Sequence, residues 1–288
     1  MKNKHRLVII LLMPVLMILY CSDARAQSEW LDYGTGNSVS IEIYKPITPR
    51  DSNKYEPGGI EPGFTVPSVA VYLTGRYNLY KDFTLVGEFP FAYGAYDTTN
   101  FVVDESGAKI GNPYLGAEYR LPKSPLMFEL GLRLPLSPDN PVIPSLVGFA
   151  ADIDRSEAFL RDVVPVYTAV NYESLSESNI YLKGRGGVNI WFNTKKIPGF
   201  DTQPEVTFDY TLQVGYFQKY VHVIAGVVGK YDVDSGPLSS NKNNLVQYGI
   251  LITGIYKNIR PALSFKVPGG NAGLVFNYII GLNCTYEF

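Results

Sequence analysis

Between Leu126 and Leu134 the chain alternates almost without a slip. Leu126, Phe128, Leu130, Leu132 and Leu134 fall on one face, and Met127, Glu129, Gly131 and Arg133 on the other. Val206, Phe208, Tyr210, Leu212, Val214 and Tyr216 oppose Glu205, Thr207, Asp209, Thr211 and Gln213 in the same way. A period of two marks a strand whose faces meet different surroundings. Read for that period, the chain predicts about twelve strands. They lie near 38–46, 67–80, 83–95, 112–122, 125–135, 163–173, 178–193, 204–218, 221–231, 244–256, 259–267 and 273–288. Most have the length of a tilted strand that crosses a bilayer. The weakest is 163–173, where Pro165 interrupts and neither face is consistently polar.

The connections alternate as well. Lys81-Asp82, Lys123-Ser124, 174–177, Lys219-Tyr220 and Lys257-Asn258 are short, whereas 47–66, 96–111, 136–162, 194–203, 232–243 and 268–272 are mostly long. Short turns at one end and long loops at the other, with both termini on the short side, is the arrangement of a transmembrane barrel with an even strand number. The expected fold class is therefore all-β, a transmembrane antiparallel up-and-down β-barrel of about 12 strands.

The final strand strengthens this. Tyr278, Ile280, Leu282, Cys284, Tyr286 and Phe288 form an apolar stripe that runs to the last residue. A lipid-facing strand accounts for such a stripe where a fraying soluble terminus would not. Its aromatic end resembles the insertion signal of bacterial outer-membrane barrels, with Tyr286 and Phe288 as the residues read. At the other end Lys2, Lys4 and Arg6 precede an apolar run from Leu7 to Tyr20, and Ala24-Arg25-Ala26 follows. This is the pattern of an export signal, so residues 1–26 are expected to be a signal peptide and 27–288 the barrel domain. The residue before Cys21 is Tyr20, too large for a lipid-anchor signal. The expected location is the bacterial outer membrane.

Removing residues 1–26 takes away Lys2, Lys4, Arg6, Arg25 and Asp23, which moves the formal charge from −2 to −5. That balance argues against nucleic acid as a partner. Cys284 remains the single cysteine, so no internal disulfide is expected. The 22 tyrosines and 15 phenylalanines suit the aromatic girdles of a membrane barrel. The stretch 27–38 is too short to suggest a plug of any size. In 136–162, Asp154 and Glu157 are spaced like a capping box ahead of Ala158, Phe159 and Leu160, which predicts a helix beginning there. That helix has two possible places, inside the lumen or on the outer rim.

Catalytic chemistry is thin. His222 is the one histidine of the mature chain, and its neighbours Val221, Val223, Ile224 and Ala225 offer no nucleophile. No catalytic residue is assigned, and the chain is not expected to be an enzyme. Asp152-x-Asp154-x-Ser156 opens like a calcium loop, but Glu157 stands where glycine belongs and Val163 where the closing glutamate belongs. No metal site and no cofactor are expected. Gly184-Arg185-Gly186-Gly187 lies within a strand rather than before a helix, so it is no phosphate loop. By parity Gly184 and Gly186 face lipid, either as a weak seam or as small residues beside bulky neighbours. Asn283-Cys284-Thr285 matches a glycosylation acceptor only by its letters.

What remains is the inward face. Turning the apolar stripes to lipid sends Arg76, Glu88, Glu118, Arg120, Glu129, Arg133, Lys183, Arg185, Asp209 and Lys230 toward the lumen. An Arg or Lys on the lipid face at the midplane would cost about 2–4 kcal/mol. A two-residue turn at Lys219-Tyr220 predicts Asp209 opposite Lys230, and a three-residue turn at 81–83 predicts Arg76 opposite Glu88. These charges either fill a narrow interior or form a constriction, and their mixed signs predict little ionic selectivity.

Val86-Gly-Glu-Phe-Pro-Phe91 and Gly111-Asn-Pro-Tyr-Leu-Gly-Ala-Glu-Tyr-Arg120 resemble segments of exported barrels of the meta-pathway phenol-degradation type. Those barrels are related to the fatty-acid and aromatic-hydrocarbon channels of the outer membrane. The resemblance implies passive uptake of small hydrophobic or aromatic solutes. The partners it implies are outer-membrane lipid, such a solute and the barrel assembly machinery. The alternative is a structural or surface-interaction barrel with a closed lumen.

Overall fold

The computed structural model describes residues 29–32, 36–47, 68–95, 106–138, 141–195, 204–233, 244–270 and 277–288. The expected signal peptide lies outside them. The strands are β1 (Ser38–Ile47), β2 (Val69–Tyr80), β3 (Phe83–Ala95), β4 (Ser106–Ile110), β5 (Tyr114–Arg120), β6 (Leu126–Arg133) and β7 (Val163–Leu175). They continue as β8 (Ile180–Asn193), β9 (Glu205–Phe217), β10 (Val221–Asp232), β11 (Asn244–Gly254), β12 (Ile259–Gly270) and β13 (Tyr278–Glu287). Each pairs antiparallel with its neighbour, and β1 pairs with β13, so the sheet closes on itself.

Thirteen strand segments make twelve staves. β3 pairs through Phe83–Glu88 with β5 and through Phe91–Ala95 with β4, so β4 and β5 form one stave broken at Gly111-Asn112-Pro113. The part at 106–110 falls where a loop was expected. Pro165 does not break β7, which pairs along its length with β8; it lies one residue beyond Val166, the last β7 residue to pair with β6.

The alternation reads directly as inside and outside. Along β13, Ile280, Leu282, Tyr286 and Phe288 are exposed on the outer surface while Asn283 and Thr285 are buried within. On β9, Phe208, Leu212, Val214 and Tyr216 face out, and Thr207, Asp209, Thr211 and Gln213 face in. A closed sheet has no edge to leave unpaired, and its apolar outer band is matched to hydrocarbon rather than water. Gly184 and Gly186 lie on this outer face beside Leu212 and Phe208. The ladder from β7 through β8 to β9 runs past both without a break, so they mark no seam.

Inside, tyrosines lie flat across glycines. A Cβ on either Gly116 or Gly131 would run into the ring of Tyr114, and one on Gly187 would stand 2.6 Å from the Tyr167 hydroxyl. Close packing of this kind leaves no room for added volume. Gly131→Val is expected to lower barrel stability by about 1–3 kcal/mol, read as a reduced urea midpoint of the heat-modifiable folded band. Gly186→Ala, on the outer face 3.6 Å from Phe208, should change it by no more than about 0.5 kcal/mol.

Candidate functional site: a lumen closed from both ends

The connection from β6 to β7 folds into the barrel. Its helix, α1 (Val142–Ala151), is followed by a 3-10 segment, Ile153–Phe159, all of whose residues are buried. The helix lies earlier than the Asp154–Glu157 spacing predicts. Pro144 sits in its first turn, where a missing N–H costs no helix bond, and the apolar run to Ala151 packs inward. Asp154 and Glu157 cap nothing, because both are drawn to charges on the wall.

The wall is prepared for this loop. At the break between β4 and β5, the Asn112 amide donates to the carbonyls of Leu160 (2.6 Å) and Glu157 (3.3 Å), and its side-chain oxygen accepts from Ser137 N (2.8 Å). Asn112 N also donates to Ala158 O at 2.5 Å. A Cβ at Gly111 would stand 2.5 Å from that same carbonyl, so only glycine admits the approach. Ala151, Ala158 and Phe159 complete an apolar contact with Tyr44, Ala70, Tyr72 and Ala92 of the wall.

Arg155 leads the charged contacts of the loop. It reaches Glu42 and Glu88, each at 2.8 Å, and Asp152 at 2.6 Å, with its guanidinium 3.7 Å above the Tyr72 ring. Glu157 joins Lys230 (2.8 Å) and Arg133 (3.4 Å), and Asp152 joins Lys266 (3.4 Å). Lys266 also stands 3.6 Å from the Tyr44 ring centroid. No calcium-loop role remains for Asp152, since Arg155 and Lys266 share its carboxylate.

A second segment enters from the short-turn end, contrary to the expectation that 27–38 is too short to plug anything. Four residues suffice because the barrel is narrow. Glu29 bonds Arg185 (2.6 Å) and Lys183 (2.9 Å), and its carbonyl accepts from Gln213 (2.7 Å). Trp30 is wholly buried against Gly249, where a Cβ would lie 2.7 Å from the indole. Asp32 meets His222 Nδ1 at 2.5 Å and Arg260 at 3.2 Å, and Arg260 holds Glu287 at 3.0 Å. His222, whose sequence neighbours suggest no partner, thus acquires one from a distant segment, and its ring stacks on Phe217 at 3.9 Å.

Both segments meet at Arg185. This one guanidinium reaches Glu29 of the N-terminal segment, Asp154 of the loop (3.1 Å) and Glu129 of the wall (3.1 Å), and lies 4.7 Å from the Tyr167 ring. Beside it is a cavity of about 20 Å³, room for a single water, lined in part by Tyr114, Glu129, Arg133 and Tyr167.

The ten residues expected in the lumen all turn inward. Glu88, Glu118, Glu129, Arg133, Arg185, Asp209, Lys230 and Arg76 are buried; Lys183 is nearly so, and Arg120 lies near the short-turn end with Glu173 at 3.1 Å. Asp209 does pair across with Lys230, at 3.0 Å. Arg76 does not stand opposite Glu88. The turn is the two residues Lys81-Asp82 and a bulge lies between Asn78 and Tyr80, so Glu88 faces Thr74 and Arg76 faces Val86. Arg76 binds Glu118 instead, with Nη1 to Oε1 at 2.7 Å, and Glu88 binds Arg133 at 2.8 Å.

No protein-family model matches this sequence, and no curated protein sequence matches it. Among solved structures, the barrel is similar to the COG4313 outer membrane channel from Pseudomonas putida F1. That match has a TM-score of 0.62 at 12% identity and covers 92% of this chain and 100% of that one. It is also similar to the beta domain of the Bordetella autotransporter BrkA, with a TM-score of 0.51 at 12% identity over 88% of this chain and 100% of that one. The fold and its apolar outer band are those of a bacterial outer-membrane barrel.

Two predictions test the double closure. Arg185→Gln leaves Glu29, Asp154 and Glu129 around a buried site without its cation, which costs about 3–5 kcal/mol when one partner of a buried pair is lost. Residues 141–160 should then become sensitive to external protease while the barrel itself still migrates as folded. The second concerns pH. Burial, then the nearby charges of Glu29 and Asp152, raises the Asp154 carboxyl to about 7 although Arg185 and Lys230 oppose them. A raised carboxyl favours the docked loop when protonated, so its contribution is complete below pH 4 and fades as pH rises through about 7. Lys230 and Arg133 hold Glu157 below its ordinary range against its burial, so that contribution is lost only in acid. Protease sensitivity of the loop should therefore rise from pH 6 to 8.5, and Asp154→Asn should flatten that rise.

Proposed function

We propose that the chain is a gated passive channel of the outer membrane for small solutes. The observation that carries this reading is the nature of the filling. A barrel with only a structural task can fill its lumen with wall side chains, as Arg76 and Glu118 do here. This lumen is closed instead by two segments that enter from opposite ends and are held largely by side-chain ion pairs and hydrogen bonds. Such segments can withdraw while the twelve staves stay paired. Lumen-facing charges then line the passage, with Arg133, Arg185 and Lys230 nearest its centre.

The finer reading is a small hydrophobic or aromatic solute. Its support is the resemblance of 86–91 and 111–120 to barrels of the phenol-degradation type, together with the places those residues occupy. Glu88, Gly111 and Asn112 are among the wall residues on which the loop docks. The motifs behind the resemblance are thus concentrated at the gate. Inward tyrosines supply flat ring faces along the route, Tyr44, Tyr72, Tyr114 and Tyr167 each beside a cation.

The alternative is a surface-interaction barrel that never opens, and the tight closure around the small central cavity favours it. Solute entry into liposomes carrying the mature chain separates the two. Protein-dependent entry of phenol exceeding that of a sugar of similar size, over protein-free liposomes, is the expected result. Entry of neither above the protein-free rate would favour the closed barrel.

A further inference from the structure

The two plugging segments are acidic. Residues 29–32 and 141–160 carry Glu29, Asp32, Asp152, Asp154 and Glu157 against one cation, Arg155. Every one of these carboxylates rests on a cation of the wall. Glu29 lies on Lys183 and Arg185, Asp154 on Arg185, Glu157 on Lys230 and Arg133, Asp152 on Lys266, and Asp32 on Arg260. Wall carboxylates reach five of these six cations as well, Glu173 at Lys183, Glu129 at Arg185, Asp209 at Lys230, Glu88 at Arg133 and Glu287 at Arg260.

Lys266 shows the dependence most clearly. Among the described residues its polar and ring contacts are the Asp152 carboxylate, the Ala151 carbonyl and the rings of Trp30 and Tyr44, of which all but Tyr44 belong to the plugs. Withdrawal of Arg155 would release Glu42 and part of the demand on Glu88. That is one cation lost against five carboxylates. Without the plugs the buried charges of the wall are Arg76, Lys109, Arg133, Arg185, Lys230 and Lys266 against Glu42, Glu88, Glu118, Glu129 and Asp209, still of both signs but with a small excess of cations.

We propose, resting on the channel reading above, that the plug carboxylates occupy the seats of an anionic solute. The open lumen is then anion-selective, with a carboxylate-binding site at Lys183, Arg185, Lys230 and Lys266. A narrow wall with even a small excess of fixed cations, concentrated here at Lys266 once Asp152 leaves it, favours anions over cations. The Tyr167 ring beside Arg185 and the Tyr44 ring beside Lys266 offer flat apolar faces next to the charge. A planar aromatic carboxylate satisfies both halves of such a seat, and a chloride ion only one.

The test is the reversal potential of the full chain in planar bilayers under a tenfold KCl gradient, with Glu29→Gln and Glu157→Gln introduced together to loosen both plugs. A chloride-directed reversal potential is expected, and benzoate should reduce the chloride current severalfold where benzyl alcohol does not. Adding Lys266→Gln should move the reversal potential toward zero. A second variant, with 141–160 replaced by a short Gly-Ser linker and folding checked by heat-modifiable migration, should be anion-selective too. Conductance that is unselective or cation-selective would overturn the anionic seat and leave the channel standing. Folded variants that conduct nothing would overturn the channel reading, and this inference with it.

Discussion

A strand that shows lipid an apolar face must turn its charges inward, and inside a narrow barrel each inward charge needs a counter-charge within reach. The cost of leaving one unpaired is several kcal/mol, more than most single contacts contribute. In this chain the wall cannot balance itself stave against stave. Arg76 and Glu118 do so, and Asp209 with Lys230, but Arg185, Lys183 and Lys266 complete their pairing with segments that are not wall. The inward loop and the N-terminal segment follow from that need.

This constraint explains why Arg185 matters more than its neighbours. It is a wall residue that receives carboxylates from both plugging segments at once. Closure from the two ends is thereby coupled through one guanidinium, with the Tyr167 ring and Glu129 fixing its position. The apolar half of the docking, Phe159 and Ala158 against Tyr72 and Tyr44, aligns the loop. The charged half decides how firmly it stays.

The wall was legible in the sequence because a period of two leaves a trace at every residue. Glu42, between Ile41 and Ile43, and Lys266, between Phe265 and Val267, are missing from the ten residues expected in the lumen although the same parity turns both inward, where the structure buries them. The plugs left no such trace. Glu29 to Asp32 is too short for any periodicity, and its place depends on partners at Arg185 and His222, far along the chain. The Asp154–Glu157 spacing imitates a helix cap, yet both carboxylates are held by tertiary charge pairs. Arg76 and Glu88 show the other limit, since a single bulge at Asn78–Tyr80 shifts a register that turn length alone would set differently.

Backbone hydrogen exchange of the unmodified protein in lipid distinguishes a removable filling inside a permanent wall from a filling as permanent as the wall. Residues 153–159 are all buried, whereas β8 and β9 alternate buried residues with exposed ones, so burial alone predicts no weaker protection for the loop than for the strands. A removable loop should exchange its amides through a local opening, orders of magnitude faster than the strands. Equal protection of loop and strands would make the filled lumen a permanent part of the fold and rule out withdrawal of the loop.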